Sequence, residues 1–262
     1  MEKTLTDLLF MSQKRKDLLL LLKKGSKNID EIVDELRVNP TGMLPQIKKL
    51  KEEYLIIQED RDYMLSPLGE LLVEKMEPLL DILEVIEENE DFWQERDLRG
   101  VPNTFLERLN ELKPYSLIRP NPDNIFEPPK EFMENMKKSK HILFFSSIFH
   151  PFYLRAFLGK KDEETEITLI VTEGVFKRFE NDFKEELDNF LSLEKRKLFV
   201  LEDEIKIATF TKTECFMMVN FLTLKGTFDQ ENILSFRPAA LQWAEDLILH
   251  YKEHAREISK NE

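Results

Sequence analysis

Cysteine occurs once and glycine seven times in 262 residues, and each scarcity closes off a class of function. A lone thiol, Cys215, leaves no disulfide framework and no cysteine-based zinc site within one chain. It lies in the apolar run 214–221, where core packing is the expected role and an oxidant-sensing thiol the alternative. So few glycines leave little backbone for a Gly-rich phosphate loop. GxSxG, HExxH and HxKx4D patterns are absent as well. The four histidines are His141, His150, His250 and His254. The last two share an i,i+4 spacing that a metal permits, although near a helix C-terminus such residues serve as favourable cations or surface groups. No metal, no cofactor and no enzymatic activity is expected. The apolar run Leu18 to Leu22 is far too short to span a bilayer, and no signal peptide precedes the first helix, so the expectation is a cytoplasmic protein without a membrane partner.

What is present is concentrated between Asn28 and Leu65, NIDEIVDELRVNPTGMLPQIKKLKEEYLIIQEDRDYML. Asn28 is a good N-cap, Asp30 and Glu31 favour the positive helix end, and Ile29, Ile32, Val33 and Leu36 fall on one helical face. Arg37 to Pro40 breaks that pattern. A second helix follows, expected to bury Leu44, Ile47 and Leu50 and to expose Gln46, Lys48, Lys49 and Lys51. Pro45 fits its first turn if Gly42 or Met43 is the N-cap; Asn39 and Thr41 are alternative starts. Tyr54 to Ile57 and Asp62 to Leu65 read as a hairpin with a charged tip at Glu59, Asp60 and Arg61. Helix, turn, helix and hairpin together make a winged helix-turn-helix, whose second helix is sized for a major groove. Contact with another protein instead of DNA is the alternative use of such a unit.

Charge distribution bears on that choice. The chain carries a formal charge of −13, but residues 1–65 hold 12 Lys and Arg against 12 Asp and Glu, so the other 197 residues carry the whole excess. A neutral reading head on an acidic body predicts modest, salt-sensitive affinity for double-stranded DNA. Thr41 and Gln46 are the candidate base readers. Lys14, Arg15, Lys16, Lys48, Lys49, Lys51 and Arg61 are the candidate phosphate contacts.

After the wing, Ser66-Pro67 opens a long helix with an apolar stripe including Leu68, Leu71, Leu72, Met76, Leu79, Leu80, Leu83 and Ile86, which Pro78 is expected to kink or divide. The stripe needs a partner, either a second subunit or the rest of the chain. Residues 92–130 read as an irregular connector, with a helix from Thr104 to Leu112. From Pro129 strands and helices alternate: helix 131–139, strand 141–145, helix 150–158, strand 166–171, helix 173–191 and strand 197–201. A hairpin (205–211 and 214–222), a strand (232–236) and a closing helix (238–258) follow. Such alternation favours an α/β layer. Sixteen of the 20 Phe residues fall in this part, which suits either a core or an aromatic pocket. Ligands of α/β sheets sit at the carboxyl ends of strands, so Ser146, Ser147, His150 and Thr172 are the candidate polar contacts of a small-molecule effector, with Phe149 and Phe152 as an apolar wall.

Five strings in order, YMLSPLGELLVEKMEPLLDILEV, DFWQERDLRGVP, SSIFHPFY, ITLIVTEGVF and ALQWAEDLILHYKEHA, resemble the archaeal methanogenesis-regulatory (FilR-type) family of winged-helix transcription regulators. The resemblance covers nearly the whole chain and implies an ArsR-like N-terminal DNA-binding domain and a C-terminal regulatory domain that senses a small molecule. Leu44 and Pro45 depart from the polar base-reading residues of general ArsR-like winged helices. The expected fold class is α+β: a winged helix-turn-helix at 1–66, a helical linker and dimerisation region at 67–128, and an α/β effector-sensing domain at 129–262. The expected partners are double-stranded DNA, a second copy of the chain in a homodimer, and a small-molecule effector.

Overall fold

The computed structural model describes residues 4–120, 128–151, 157, 163–202 and 205–259. The fold is α+β. The chain falls into two compact units, Met1–Leu83 and Glu84–Glu262.

In the first unit, α1 (Leu5–Phe10) and α2 (Gln13–Leu22) precede a two-residue strand β1 (Lys27–Asn28), α3 (Ile29–Leu36), α4 (Pro40–Glu52), the hairpin strands β2 (Ile56–Glu59) and β3 (Asp62–Leu65), and α5 (Pro67–Glu88). The unit is a winged helix-turn-helix with a three-stranded sheet ordered β1-β3-β2. Local chemistry sets the boundaries. The Asn28 side chain accepts the Asp30 and Glu31 amides while the Glu31 carboxylate accepts the Asn28 amide, a complete capping box. Arg37 ends α3 in the left-handed region at φ 52°.

Among the possible starts of α4, Asn39 is the cap: its side chain accepts the Gly42 amide and Pro40 takes the first helical position. This start corrects two expectations. Pro45 lies in the second turn, not the first, on the exposed side. The apolar face is phased on Met43, Ile47 and Leu50, so Leu44, expected inside, is 45% exposed. The first wing strand begins at Ile56 because Tyr54 adopts φ 57° and turns the chain out of α4. Leu55 then runs against α5 so closely that a Cβ on Gly69 would collide with its carbonyl oxygen. α5 continues through Pro78 as one helix, so of the kink or division expected there the division does not occur.

The second unit is an eight-stranded sheet in the order β11-β7-β6-β5-β8-β9-β10-β4. Its strands are β4 (Ser116–Ile118), β5 (His141–Ser146), β6 (Glu166–Thr172), β7 (Arg196–Leu201), β8 (Ile207–Thr213), β9 (Met217–Phe221), β10 (Asn232–Ser235) and β11 (Arg256–Ile258). β5, β6 and β7 are parallel, and β8, β9, β10 and β4 continue antiparallel from β5. One face is covered by α8 (Lys130–Lys138), α9 (Glu173–Asp182) and α10 (Lys184–Leu191), which contribute Phe132, Phe179 and Phe190 to its core. The helix expected over 173–191 is thus broken at Phe183, which packs its ring on Phe149. The other face is covered by α11 (Pro238–Lys252) through Trp243, Ala244, Leu247 and Ile248. The chain then returns as β11 along β7 instead of extending the helix to 258, which covers the sheet edge.

Residues 92–118 are part of this core, not a bare connector. Here α6 (Glu90–Glu95) and α7 (Asn103–Leu106), with single 3-10 turns, bury Phe92, Trp93, Phe105 and Leu112 against the α11 face. Trp243 Nε1 donates to the Phe105 carbonyl at 2.9 Å, and Trp93 Nε1 to Tyr115 Oη at 3.0 Å. Cys215, expected in the core, is exposed. The Thr213 hydroxyl accepts the Cys215 and Phe216 amides, and this tight turn points Phe216 inward.

Gly69→Ala should destabilise the first unit by about 1–3 kcal/mol, as forced overpacking does, and lower its urea midpoint. An unchanged midpoint would show that Leu55 and α5 are not in backbone contact.

Candidate functional site

The outer face of α4 follows from its phase. Thr41, Pro45, Lys48 and Glu52 fall in one exposed row, with Leu44 and Lys51 exposed beside it. Leu44, Ile47, Lys48, Lys51, Glu52 and Tyr63 line a shallow groove between α4 and β3. Lys51 Nζ donates to Gln58 Oε1 at 2.8 Å and stands over the Tyr63 ring, and Gln58 Nε2 donates to the Asp60 carbonyl at 3.1 Å. A polar chain therefore ties α4 to the wing tip, where Arg61 is exposed. Lys48 makes only a loose contact with Glu52, at 3.9 Å between two exposed side chains, a pairing of little energetic weight.

The other edge of α4 faces α2. Arg15, expected among the phosphate contacts, is buried: Nε donates to the Leu8 carbonyl at 2.5 Å, one terminal nitrogen to the Asp7 carbonyl at 3.0 Å and the other to Gln46 Oε1 at 2.9 Å. It satisfies carbonyls at the end of α1 and fastens α4 to α2. Gln46 thereby has its oxygen engaged, leaving only its amide N–H groups for a ligand. Lys49 and Lys16 are half-exposed.

Lys14 is the residue whose place is most telling. A Cβ on Gly42 would stand 2.9 Å from Lys14 Nζ and 2.9 Å from Asn39 Oδ1, so the ammonium lies at the N-terminal end of α4. The helix dipole makes that end positive. Two positive features are held together, an arrangement that a bound anion stabilises. Asn39 was one of the starts open in the sequence, whereas Tyr63 is absent from the sequence-derived set, an aromatic in the wing being the available signal.

In the second unit, β5 ends at the other sequence-derived cluster. Ser146 is buried and its Oγ donates to the Ile148 carbonyl at 2.7 Å, while Ser147 Oγ donates to the Ile207 carbonyl at 2.6 Å. Thr172 caps α9 through backbone geometry only and reaches the Ser147 carbonyl at 3.5 Å. Phe149 is half-buried against Phe183, with the Arg178 guanidinium 4.2 Å above its ring. His150 lies edge-on to Phe228, and burial lowers its pKa below the usual histidine value, so the imidazole is neutral near pH 7. Phe152 lies outside the described residues. Most of the phenylalanines fill the two cores; Phe149, Phe183 and Phe228 are the half-buried ones near this edge.

Two residues absent from the sequence-derived set lie along the same edge. Asn220 and Asn232 are fully buried within β9 and β10, and the Oδ1 atom of each has no hydrogen-bond partner among the described residues. The signal was a single Asn inside each of the apolar strings MMVNF and NILS, but the pairing that aligns them is set by sheet register.

Because Arg15 serves structure and Lys48 does not, Arg15→Ala should cost about 1–3 kcal/mol by stranding buried acceptors, whereas Lys48→Ala should change stability by no more than about 0.5 kcal/mol. Denaturant titration of both variants checks this. Equal effects would contradict the assignment.

The N-terminal domain of the methanogenesis regulatory protein FilR1 matches residues 3–84, and its middle domain matches residues 125–254. The chain is 24% identical over 258 residues to the methanogenesis regulatory protein FilR1 of Methanothrix harundinacea (strain 6Ac). That alignment takes in 96% of this chain but 57% of the relative, so the chain spans little more than half of that protein's length. It is also 29% identical over 109 residues, 37% of this chain and 74% of the relative, to the HTH-type transcriptional regulator MntR of Geobacillus kaustophilus (strain HTA426). TrmBL2, an archaeal chromatin protein described as having a novel mode of DNA binding, superposes with a TM-score of 0.44 at 11% identity over 94% of each chain. With two domains of one family matching in order over most of its length, the chain belongs to the FilR1 family of methanogenesis regulatory proteins.

Proposed function

We propose that the protein is a DNA-binding transcriptional regulator. Its first unit contacts double-stranded DNA through α4 and the wing, and its second unit senses a small-molecule effector. The observation that carries the first part is Lys14 at the positive end of α4, flanked by the exposed row of that helix and by Arg61 at the wing tip. A duplex backbone offers phosphates to Lys14, Lys16, Lys48, Lys49, Lys51 and Arg61, while Thr41 and the amide nitrogen of Gln46 are the base-reading groups left on α4. Leu44 supplies apolar contact instead of polar readout, which suits a thymine methyl.

The exposed leucines of α5, Leu68, Leu71, Leu79 and Leu83, support a homodimer, since a second copy of the chain would cover them and paired half-sites on DNA call for a two-fold. The FilR1 family and the HTH-type relative support regulation as the activity. The effector reading rests on the polar edge of the second unit, with Ser146, Ser147, Phe149, His150 and Thr172 as its contacts.

Fluorescence anisotropy with duplex DNA from upstream of the protein's own gene should show affinity falling steeply as salt rises. Lys48→Glu with Lys49→Glu should weaken binding by at least about tenfold and reduce the slope of log K against log salt by about 1 per lysine. Absence of binding at low salt, or a slope indifferent to the lysines, would remove the DNA reading.

A further inference from the structure

The sheet register of the second unit aligns four polar side chains across four neighbouring strands. Ser146 on β5 is paired with Thr209 on β8, and Thr209 with Asn220 on β9. Ile233 is paired with Val219, so one further step of the same antiparallel register brings Asn232 on β10 opposite Asn220. Neighbours across a sheet point to the same face. That face is the one carrying Phe144, Met218 and Leu234, each two residues from a member of the row. All four are nearly or fully buried: Ser146 4%, Thr209 2%, Asn220 0% and Asn232 0% exposed.

A polar row inside an apolar layer demands partners, and here the pairing is half complete. Asn220 Nδ2 donates to the Glu231 carbonyl and Asn232 Nδ2 to the Gln230 carbonyl, each at 2.6 Å. These bonds fix which end of each amide faces the backbone, because a flipped amide would set oxygen against oxygen. What remains are two buried Oδ1 atoms without a donor among the described residues. The Ser146 hydroxyl spends its proton on the Ile148 carbonyl, so it too offers only lone pairs. The unmet groups of the row are thus two acceptors, the Oδ1 atoms, beside a second N–H on each amide and the Thr209 hydroxyl.

Its place in the sheet is equally particular. β5 is where the parallel half, β5-β6-β7, meets the antiparallel half that starts with β8, and the row begins at the carboxyl end of β5. The strand order also reverses there, since the chain steps outward from β5 to β7 and returns on the other side of β5 as β8, and the carboxyl ends beside such a reversal are where α/β folds admit ligands. Two acidic side chains adjoining the row in sequence are already engaged: Asp229 and Glu231 both pair with the buried Arg96. Neither is thereby free to neutralise an ammonium group taken out of water.

We propose that Asn220 and Asn232, with Thr209 and Ser146, form the floor of the effector site, and that the effector is a neutral small molecule presenting at least two hydroxyl or amide N–H donors. This rests on the effector reading above and names its ligand class and contact residues. Half-buried Phe149 and Phe228, packed against the same core, supply the apolar rim.

The test is isothermal titration calorimetry on the full chain with glycerol, myo-inositol and acetamide as neutral donors and ethanolamine as the charged comparison. Each probe is titrated against wild type, Asn232→Leu and Thr209→Val, and the last variant covers the case that the first does not fold. At least one neutral probe should bind wild type, ethanolamine should bind more weakly, and each variant should lose about tenfold in affinity, the equivalent of one neutral hydrogen bond. Failure of all neutral probes, preference for ethanolamine, or affinity unchanged in the variants would overturn the proposal; the acceptors would then be served by internal water. The DNA titration separates this from the broader reading. Neutral-probe binding that leaves DNA affinity unchanged keeps the site and removes its effector role. A response of DNA affinity to cell extract that survives Asn232→Leu and Thr209→Val keeps the effector role and removes this site.

Discussion

In a sheet covered by apolar side chains on both faces, a polar side chain persists only where its atoms are paired, because an unmade buried hydrogen bond costs about 1–3 kcal/mol. Both units of this chain are organised by that requirement. Arg96 meets it by donating to the Phe92 carbonyl and to the carboxylates of Asp229 and Glu231. Trp93, Tyr115 and the Val85 carbonyl form a closed chain that fixes the segment leading into the sheet. Asn220 and Asn232 meet it only in part. Completed networks hold the second unit together, and the incomplete one is where we propose that a donor enters from outside.

The first unit applies the same requirement to a basic face. Of three consecutive cations, Lys14, Arg15 and Lys16, the middle one is withdrawn from solvent to satisfy two carbonyls and Gln46. Its neighbours remain outside. Residues 1–65, whose formal charges balance, can still offer a positive surface where acids are used locally, as Glu31 is in the cap of α3 and Glu35 is by Lys27. Arg61 lies at the wing tip, Lys14 at the start of α4, and Lys48 and Lys51 on its exposed side. Pro45 gives up a backbone hydrogen bond there, on a face where water or a ligand can reach the freed carbonyl.

Legibility in the sequence followed the range of the interaction. Caps, periodicity and the hairpin are local, so Asn28, the α3 face and the Asp62 to Leu65 strand could be read directly. The apolar face of α4 takes Met43 instead of Leu44, because the two stand four and three residues before Ile47 and helical spacing alone admits either. The segment 92–118 carries helices of one or two turns, too short for a periodic signal, and its burial became visible only through Trp243 and Tyr115, which close contacts over long stretches of chain. Ser146 and Thr172 were accessible because strand ends are local features. Asn220 and Asn232 were not, since their alignment depends on a register built from three separate strand pairings. Adjacent residues of one charge sign, such as Lys14 and Arg15, also gave no local sign of which would be buried.

The account joins a DNA-contacting unit to a ligand-sensing one, and linkage makes that claim measurable. If a donor-bearing molecule shifts the affinity for duplex DNA by some factor, saturating DNA must shift the affinity for that molecule by the same factor. The decisive measurement is calorimetric titration of the full chain with a neutral ligand that binds it, without and with saturating duplex. The account predicts a change in ligand affinity equal to the change in DNA affinity measured with the ligand present, and different from one. A ligand affinity indifferent to bound DNA would contradict it.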